Sequence, residues 1–294
     1  MIFSAFTDIL ERPFEEALDA LADLGFSTVD LRSKLGDGHN VDTLTGAAAT
    51  RVRNALAGRG LHVASVASWG VNPMDGRYEP AAPAYRQAMR ERVAHLADLA
   101  TRVGAPHVRV YSFKRPPLAD AAPITDAALR ADNAAFLCEL ADVCAAQSRI
   151  LLVENEPPTL TATVAELGDL MRRARHDHLR VNWDIVNGWR AGEVPWAEGV
   201  FDPIAGHVAQ VHVKGARAAA DGTAFATMAL PGRDDVPHAA VFRALRASGF
   251  DGVMTIDPHY GQFAPADKLT HVADPVLEVV RQTMQFLQTE ILTA

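Results

Sequence analysis

Two rhythms of apolar and polar positions alternate along the chain. Short, mostly apolar runs occupy residues 1–5, 27–31, 61–67, 107–111, 150–154, 180–184, 208–214 and 252–257, each short enough to cross one buried layer as a strand. Between them, apolar residues recur at helical spacing. After Pro13, which a helical first turn accepts, Phe14, Ala17, Leu18, Leu21 and Leu24 form such a stripe, and Gly25 stops it. Met89, Val93, Leu96, Ala100 and Val103 step by four, three, four and three through the clearest amphipathic segment, 84–103, which Gly104 closes. Further helices are expected over 43–58, 126–147, 161–175, 196–205, 238–248 and 274–289, the last presenting Val276, Val280 and Leu287. Two long loops stand out, 70–83 and 215–237, and loops of that length often carry function.

Strict strand–helix alternation implies a parallel sheet. Eight units in 294 residues, with no linker and no break in composition, favour a single (β/α)8 TIM barrel over residues 1–294 rather than an open doubly wound sheet. Neither GxGxxG nor GxxxxGK[ST] follows the first strand, which counts against a nucleotide fold.

Composition narrows the partners. Apolar residues make up 49% and charged residues 22%, a globular balance. Lys and Arg number 28 against 36 Asp and Glu, so the net charge is −8, opposite to what a duplex-coating or membrane-surface protein needs. No nucleic acid and no membrane partner are expected. The N-terminus lacks a basic region followed by a long apolar run, and no stretch approaches a membrane span; a cytoplasmic location is the expectation. Cys138 and Cys144 lie six apart on a helical segment and read as buried free thiols.

The chemistry sits where the later strands end. Residues 150–154 end on Glu154, 180–184 on Asp184, 208–214 on His212 and Lys214, and the last run on Asp257 and His259. In a barrel of this type the active site lies at the C-terminal strand ends, so these four neighbouring strands would gather their polar ends over one mouth. Three carboxylates and one imidazole form a hard, oxygen-rich set suited to Mn²⁺, Mg²⁺ or Co²⁺. A cation bound to two adjacent oxygens of a hydroxy-ketone acidifies the C–H between them, and a carboxylate on each face can take and return the proton. Glu154 and Asp257 are the expected proton-moving pair; Glu154, Asp184, His212 and Asp257 are the expected metal ligands. Lys214, His259, Arg217, Asn187 and Trp69 are the expected substrate contacts, with Arg233 as a further loop cation and Asn155 and Glu156 as braces of the mouth. Trp183 and Trp189 offer apolar surface for a sugar face or for packing.

Val153-Glu154-Asn155, Trp183-Asp184 with Asn187, Val211-His212-Val213-Lys214 and Ile256-Asp257-Pro258-His259 resemble the xylose isomerase-like barrels, and so do Asp30-Leu31-Arg32 and His107-Val108-Arg109-Val110. The resemblance covers nearly the whole chain. It implies a sugar isomerase or epimerase, such as the ketose 3-epimerases, with one divalent metal, Mn²⁺ foremost and Zn²⁺ included among the alternatives. It also implies a carbohydrate substrate and a homo-oligomer, dimer or tetramer. Carried over, the metal roles fall on Glu154, Asp184, His212 and position 257. Two positions depart from the pattern. Asp257 stands where the family carries glutamate, which withdraws the carboxylate by about 1.5 Å, and Asn187 stands near the place of an epimerase-type histidine. Two rivals share the site: a dehydratase of a keto-polyol such as an inosose, and a non-catalytic barrel that binds a sugar or a partner. A nuclease related to endonuclease IV would need more histidine ligands and a basic groove, which the net charge opposes.

Overall fold

The computed structural model describes residues 1–73, 82–116, 127–220, 222 and 224–293. The strands are β1 (Ile2–Ala5), β2 (Thr28–Leu31), β3 (His62–Ala67), β4 (His107–Tyr111), β5 (Ile150–Glu154), β6 (Leu179–Asp184), β7 (Val208–Val213), β8 (Gly215–Ala218), β9 (Phe225–Ala229) and β10 (Val253–Ile256). The helices are α1 (Phe14–Asp23), α2 (Gly46–Ala57), α3 (Pro83–Val103), α4 (Ala127–Ala145), α5 (Val164–Ala174), α6 (Asn187–Arg190), α7 (His238–Ala247) and α8 (Pro275–Thr293).

Eight strands pair in parallel in the order β1-β10-β7-β6-β5-β4-β3-β2. A parallel bridge between Phe6 and Asp30 joins the two ends, so the sheet closes into the expected (β/α)8 barrel. The helices bury their apolar stripes on its outer wall: Ala17, Leu18 and Leu21 of α1 and Val93, Leu96 and Ala100 of α3 are fully buried. Gly104 ends α3 at φ +76°, where a side chain would be strained. Thr163 and Glu166 form a capping box at α5, and Glu193 accepts hydrogen bonds from the Val164 and Ala165 amides at the same helix start.

The structure departs from the sequence pattern in two places. The loop expected over 215–237 contains the antiparallel hairpin β8–β9, whose alternation is too short to separate from loop. The helix expected over 196–205 is replaced by turns and a single 3₁₀ turn, Asp202–Ile204; Gly199 and Pro203 fall inside this stretch and break the helical hydrogen-bond run. Most of the expected functional loop 70–83 lies outside the described residues. No helix among the described residues is long and apolar enough to cross a membrane. Both cysteines are free thiols, Cys144 buried and Cys138 half-buried.

The barrel interior is polar in layers. Side chains along a strand alternate faces, so Asp30, Gln210 and Thr255 share the inward face with Arg32, His212 and Asp257 two residues on. In the lower layer, the fully buried Asp30 carboxylate accepts hydrogen bonds from Ser4 Oγ (2.6 Å), Ser65 Oγ (2.5 Å), Gln210 Nε2 (2.9 Å) and Thr255 Oγ1 (2.9 Å). Four donors from four strands offset the cost of burying that charge. One step up, towards the strand ends, lies the charged layer.

Candidate active site

Glu154, the last residue of β5, Asp184, the last of β6, and His212 of β7 are all buried, and one ligand atom from each lies within 4.8 Å of the others. His212 Nδ1 is 3.0 Å from Glu154 Oε1 and 3.8 Å from Asp184 Oδ2, so this nitrogen faces both carboxylates. Asn182 Nδ2 lies 3.0 and 3.3 Å from the two ring nitrogens, which places the amide over the ring rather than at either nitrogen's lone pair.

Buried cations bracket this trio. Arg109 Nε, on β4, is 3.1 Å from Glu154 Oε2, and Lys214 Nζ is 2.6 Å from Asp184 Oδ2. Both approach off the hydrogen-bonding direction, so Glu154 Oε2 and Asp184 Oδ2 have charge partners but unfilled lone pairs. Lys214 Nζ is also 3.3 Å from Asp257 Oδ2. Asp257 lies one residue beyond β10. His259 Nε2 is 3.0 Å from its Oδ2, and Arg32 Nη1 faces its Oδ1 at 3.7 Å. Arg32 in turn donates two hydrogen bonds of 3.0 Å to Asp8 and lies over the Phe6 ring, 4.0 Å from its centre.

These contacts set the ionisation of the site. Burial pushes the Glu154 carboxyl up, but His212 and Arg109 outweigh it and bring its pKa to about 2. Burial acts likewise on Asp257, and His259, Lys214 and Arg32 hold it well below the usual range. Burial lowers Lys214, but Asp184 and Asp257 overcome this and raise it, so the ammonium stays charged. Glu156 goes the other way: burial and the neighbouring Glu154 charge push its pKa up to about 7.

Asn187 spends its amide on the frame. Nδ2 donates to Asn155 O and Glu156 Oε2, both at 2.9 Å, and Oδ1 accepts from Arg190 at 3.1 Å. Asn155 spans β5 and β6 through both its amide atoms and the Asp184 backbone. Arg217 is not brought to the centre; it forms a two-point pair with Asp267. Arg233 is exposed. Trp69 is 47% exposed at the rim, its ring 5.4 Å from the Arg32 guanidinium and 6.3 Å from the Tyr111 ring. Trp183 is buried against Phe201, and Trp189 against Trp196 and Phe225, so both serve packing. A cavity of about 310 Å³ opens beside Asp257, lined by Asp8, Arg32, His259 and Tyr260 among others.

Arg109 was not foreseen as part of the site. Its signal is present in the sequence: an arginine at an inward-alternating position inside the apolar run 107–111. Glu156, expected as a brace of the mouth, is a carboxyl whose proton is held into the neutral range.

The trio fits a divalent ion on its own terms. It offers two carboxylates and an imidazole, two buried carboxylate oxygens lack directed donors, and the surrounding carboxylates outnumber the fixed cations Arg32, Arg109 and Lys214.

A closed (β/α)8 barrel with a carboxylate–imidazole cluster at its C-terminal mouth defines the class. The chain belongs to the xylose isomerase-like TIM barrel family, whose model matches residues 18–289. No curated protein matches the sequence. Among solved structures it is similar to the D-psicose 3-epimerase of Clostridium cellulolyticum H10 crystallised with D-tagatose, at 14% identity and a TM-score of 0.71, over 99% of each chain. It is similar to the probable 3-DHS dehydratase AsbF of Bacillus anthracis, at 16% identity and 0.70, over 98% of this chain and 99% of that one. It is also similar to a xylose isomerase-like TIM barrel protein of Mycobacterium smegmatis in complex with magnesium, at 17% identity and 0.70, over 99% and 96%. At these identities the likeness is one of fold.

Proposed function

We propose that this protein is a divalent-cation-dependent isomerase or epimerase of a sugar or sugar-derived ketone. The observation that carries the proposal is the Glu154–Asp184–His212 trio, with two buried carboxylate oxygens that lack a directed hydrogen-bond donor, at the catalytic end of a barrel of this family.

Glu154, Asp184 and His212 would hold the ion. When bound, the ion polarises adjacent substrate oxygens and offsets the negative charge that develops on proton removal. Glu154, ionised across the physiological range, takes the proton from the carbon beside the carbonyl. The proton returns on the other face through Asp257, whose partner His259 is partly exposed and links it to solvent. The Arg32 guanidinium, which lines the cavity beside Asp257, orients substrate oxygens there, and Trp69 offers a sugar ring an apolar face at the rim.

The test is proton exchange. Candidate ketoses are incubated with the Mn²⁺-loaded protein in D₂O and followed by NMR. Deuterium beside the carbonyl with the carbon skeleton and hydroxyls retained is the expected result. Loss of a hydroxyl as water would reassign the protein to the dehydratases, which begin with the same step. No exchange with any divalent ion, alongside measurable sugar binding, would overturn catalysis and leave a sugar-binding barrel.

A further inference from the structure

Lys214 occupies an unusual place for a lysine. Its side chain is 2% exposed, and its ammonium sits between two carboxylates, 2.6 Å from Asp184 Oδ2 and 3.3 Å from Asp257 Oδ2. Asp184 is one of the three clustered ligand residues. Asp257, among the described residues, is not in that cluster.

Asp257 is engaged from three sides. His259 and Lys214 share its Oδ2, and Arg32 faces its Oδ1. Its side chain is also one methylene shorter than a glutamate, so it reaches less far over the mouth. The gap between Asp257 and Asp184 is spanned by the lysine. A divalent ion using Asp184 Oδ2 meets a fixed positive charge already on that oxygen, in a buried setting where like charges are poorly screened.

Resting on the metal reading above, we infer that Lys214 is a tethered cation that keeps Asp257 out of the ion's coordination shell and loosens the ion's hold on Asp184. Lys214 is a positioning residue for the ion. Without it, Asp184 and Asp257 would repel each other in the ion-free protein and would both be free to bind the ion. The ammonium therefore keeps the mouth assembled when no ion is present and leaves a weak, exchangeable three-residue site when one arrives.

The test is chelator-competition titration of Mn²⁺ with the full chain, wild type beside Lys214→Met, Asp257→Asn, the double variant of these two, and Glu154→Gln as the ligand-loss reference, each checked for fold by circular dichroism in Mn²⁺. Lys214→Met is expected to bind Mn²⁺ more tightly by at least about tenfold, the scale on which groups behind the ligands tune bound metals. Asp257→Asn alone is expected to change affinity by less than about threefold, and in the Lys214→Met background it is expected to cancel most of the gain, because only there does Asp257 reach the ion. Unchanged or weaker binding by a folded Lys214→Met protein overturns the inference while leaving the metal reading intact. So does loss of Mn²⁺ from Asp257→Asn as severe as from Glu154→Gln, and this arm decides the question if Lys214→Met does not fold. No Mn²⁺ binding by any of the chains overturns the metal reading and the inference together.

Discussion

Arg109 Nε lies 3.1 Å from Glu154 Oε2, with both side chains almost wholly buried, so the carboxylate assigned as the base is clamped between a guanidinium and the His212 ring. Removing one member of such a pair strands the other charge in a low-dielectric setting. Arg109→Met is expected to destabilise the fold by about 3–5 kcal/mol. Arg109→Met with Glu154→Gln is expected to recover much of that loss. Urea unfolding of the three proteins checks it; an additive double variant would show that the two side chains do not act as a pair.

An ion held by Glu154, Asp184 and His212 binds the folded state only, and so raises its stability in proportion to ion concentration. Thermal unfolding in saturating Mn²⁺ is expected at a higher temperature than in chelator for the wild type. The increment is expected to vanish in Asp184→Asn and Glu154→Gln.

Glu156 gives a pH dependence of defined sign. Its pKa rises from an ordinary 4.5 to about 7 in the folded state, so between those values the folded chain binds more protons than the unfolded one. The stability contributed by the protonated carboxyl is fully present below about 4.5 and is lost as pH rises through 7, by roughly 3 kcal/mol at most. The urea midpoints of wild type and Glu156→Gln, both in chelator, are expected to diverge from pH 5 to pH 8, with the variant the more stable at pH 8.

Asp30→Ala is expected to cost about 3 kcal/mol or more, because it leaves Ser4, Ser65, Gln210 and Thr255 without their shared acceptor in a buried layer. Trp69→Ala, at an exposed rim position, is expected to change stability by only about 0.5 kcal/mol while raising KM for the sugar. Denaturation curves and steady-state kinetics separate the two cases.

The barrel was legible because its strands are buried on both faces and its helices on one, which writes two different periods into the chain. The mouth was legible where a charged residue ends an apolar run, as at Glu154, Asp184 and Asp257. Arg109 was harder to read because its charge lies within a run and matters only once β4 is set beside β5. The roles of Lys214 and Asp257 depend on a third dimension: residues 43 apart in sequence share an oxygen–nitrogen contact that spacing along the chain does not encode. The β8–β9 hairpin was missed because its short strands carry little alternation, and it is held largely by contacts with distant segments, such as the Phe225–Trp189 ring pair and the Met228–Phe263 bridge.

The Asp30 layer also bears on how the chain is made. On the ribosome this carboxylate emerges 225 residues ahead of Thr255 and 180 ahead of Gln210. Until both arrive, an N-terminal fragment can offer that acid only Ser4 and Ser65, two of its four donors, so the rest of its hydrogen bonding must come from water. The lower polar layer is a latch whose last two donors arrive only with β7 and β10, which places its fastening late in synthesis.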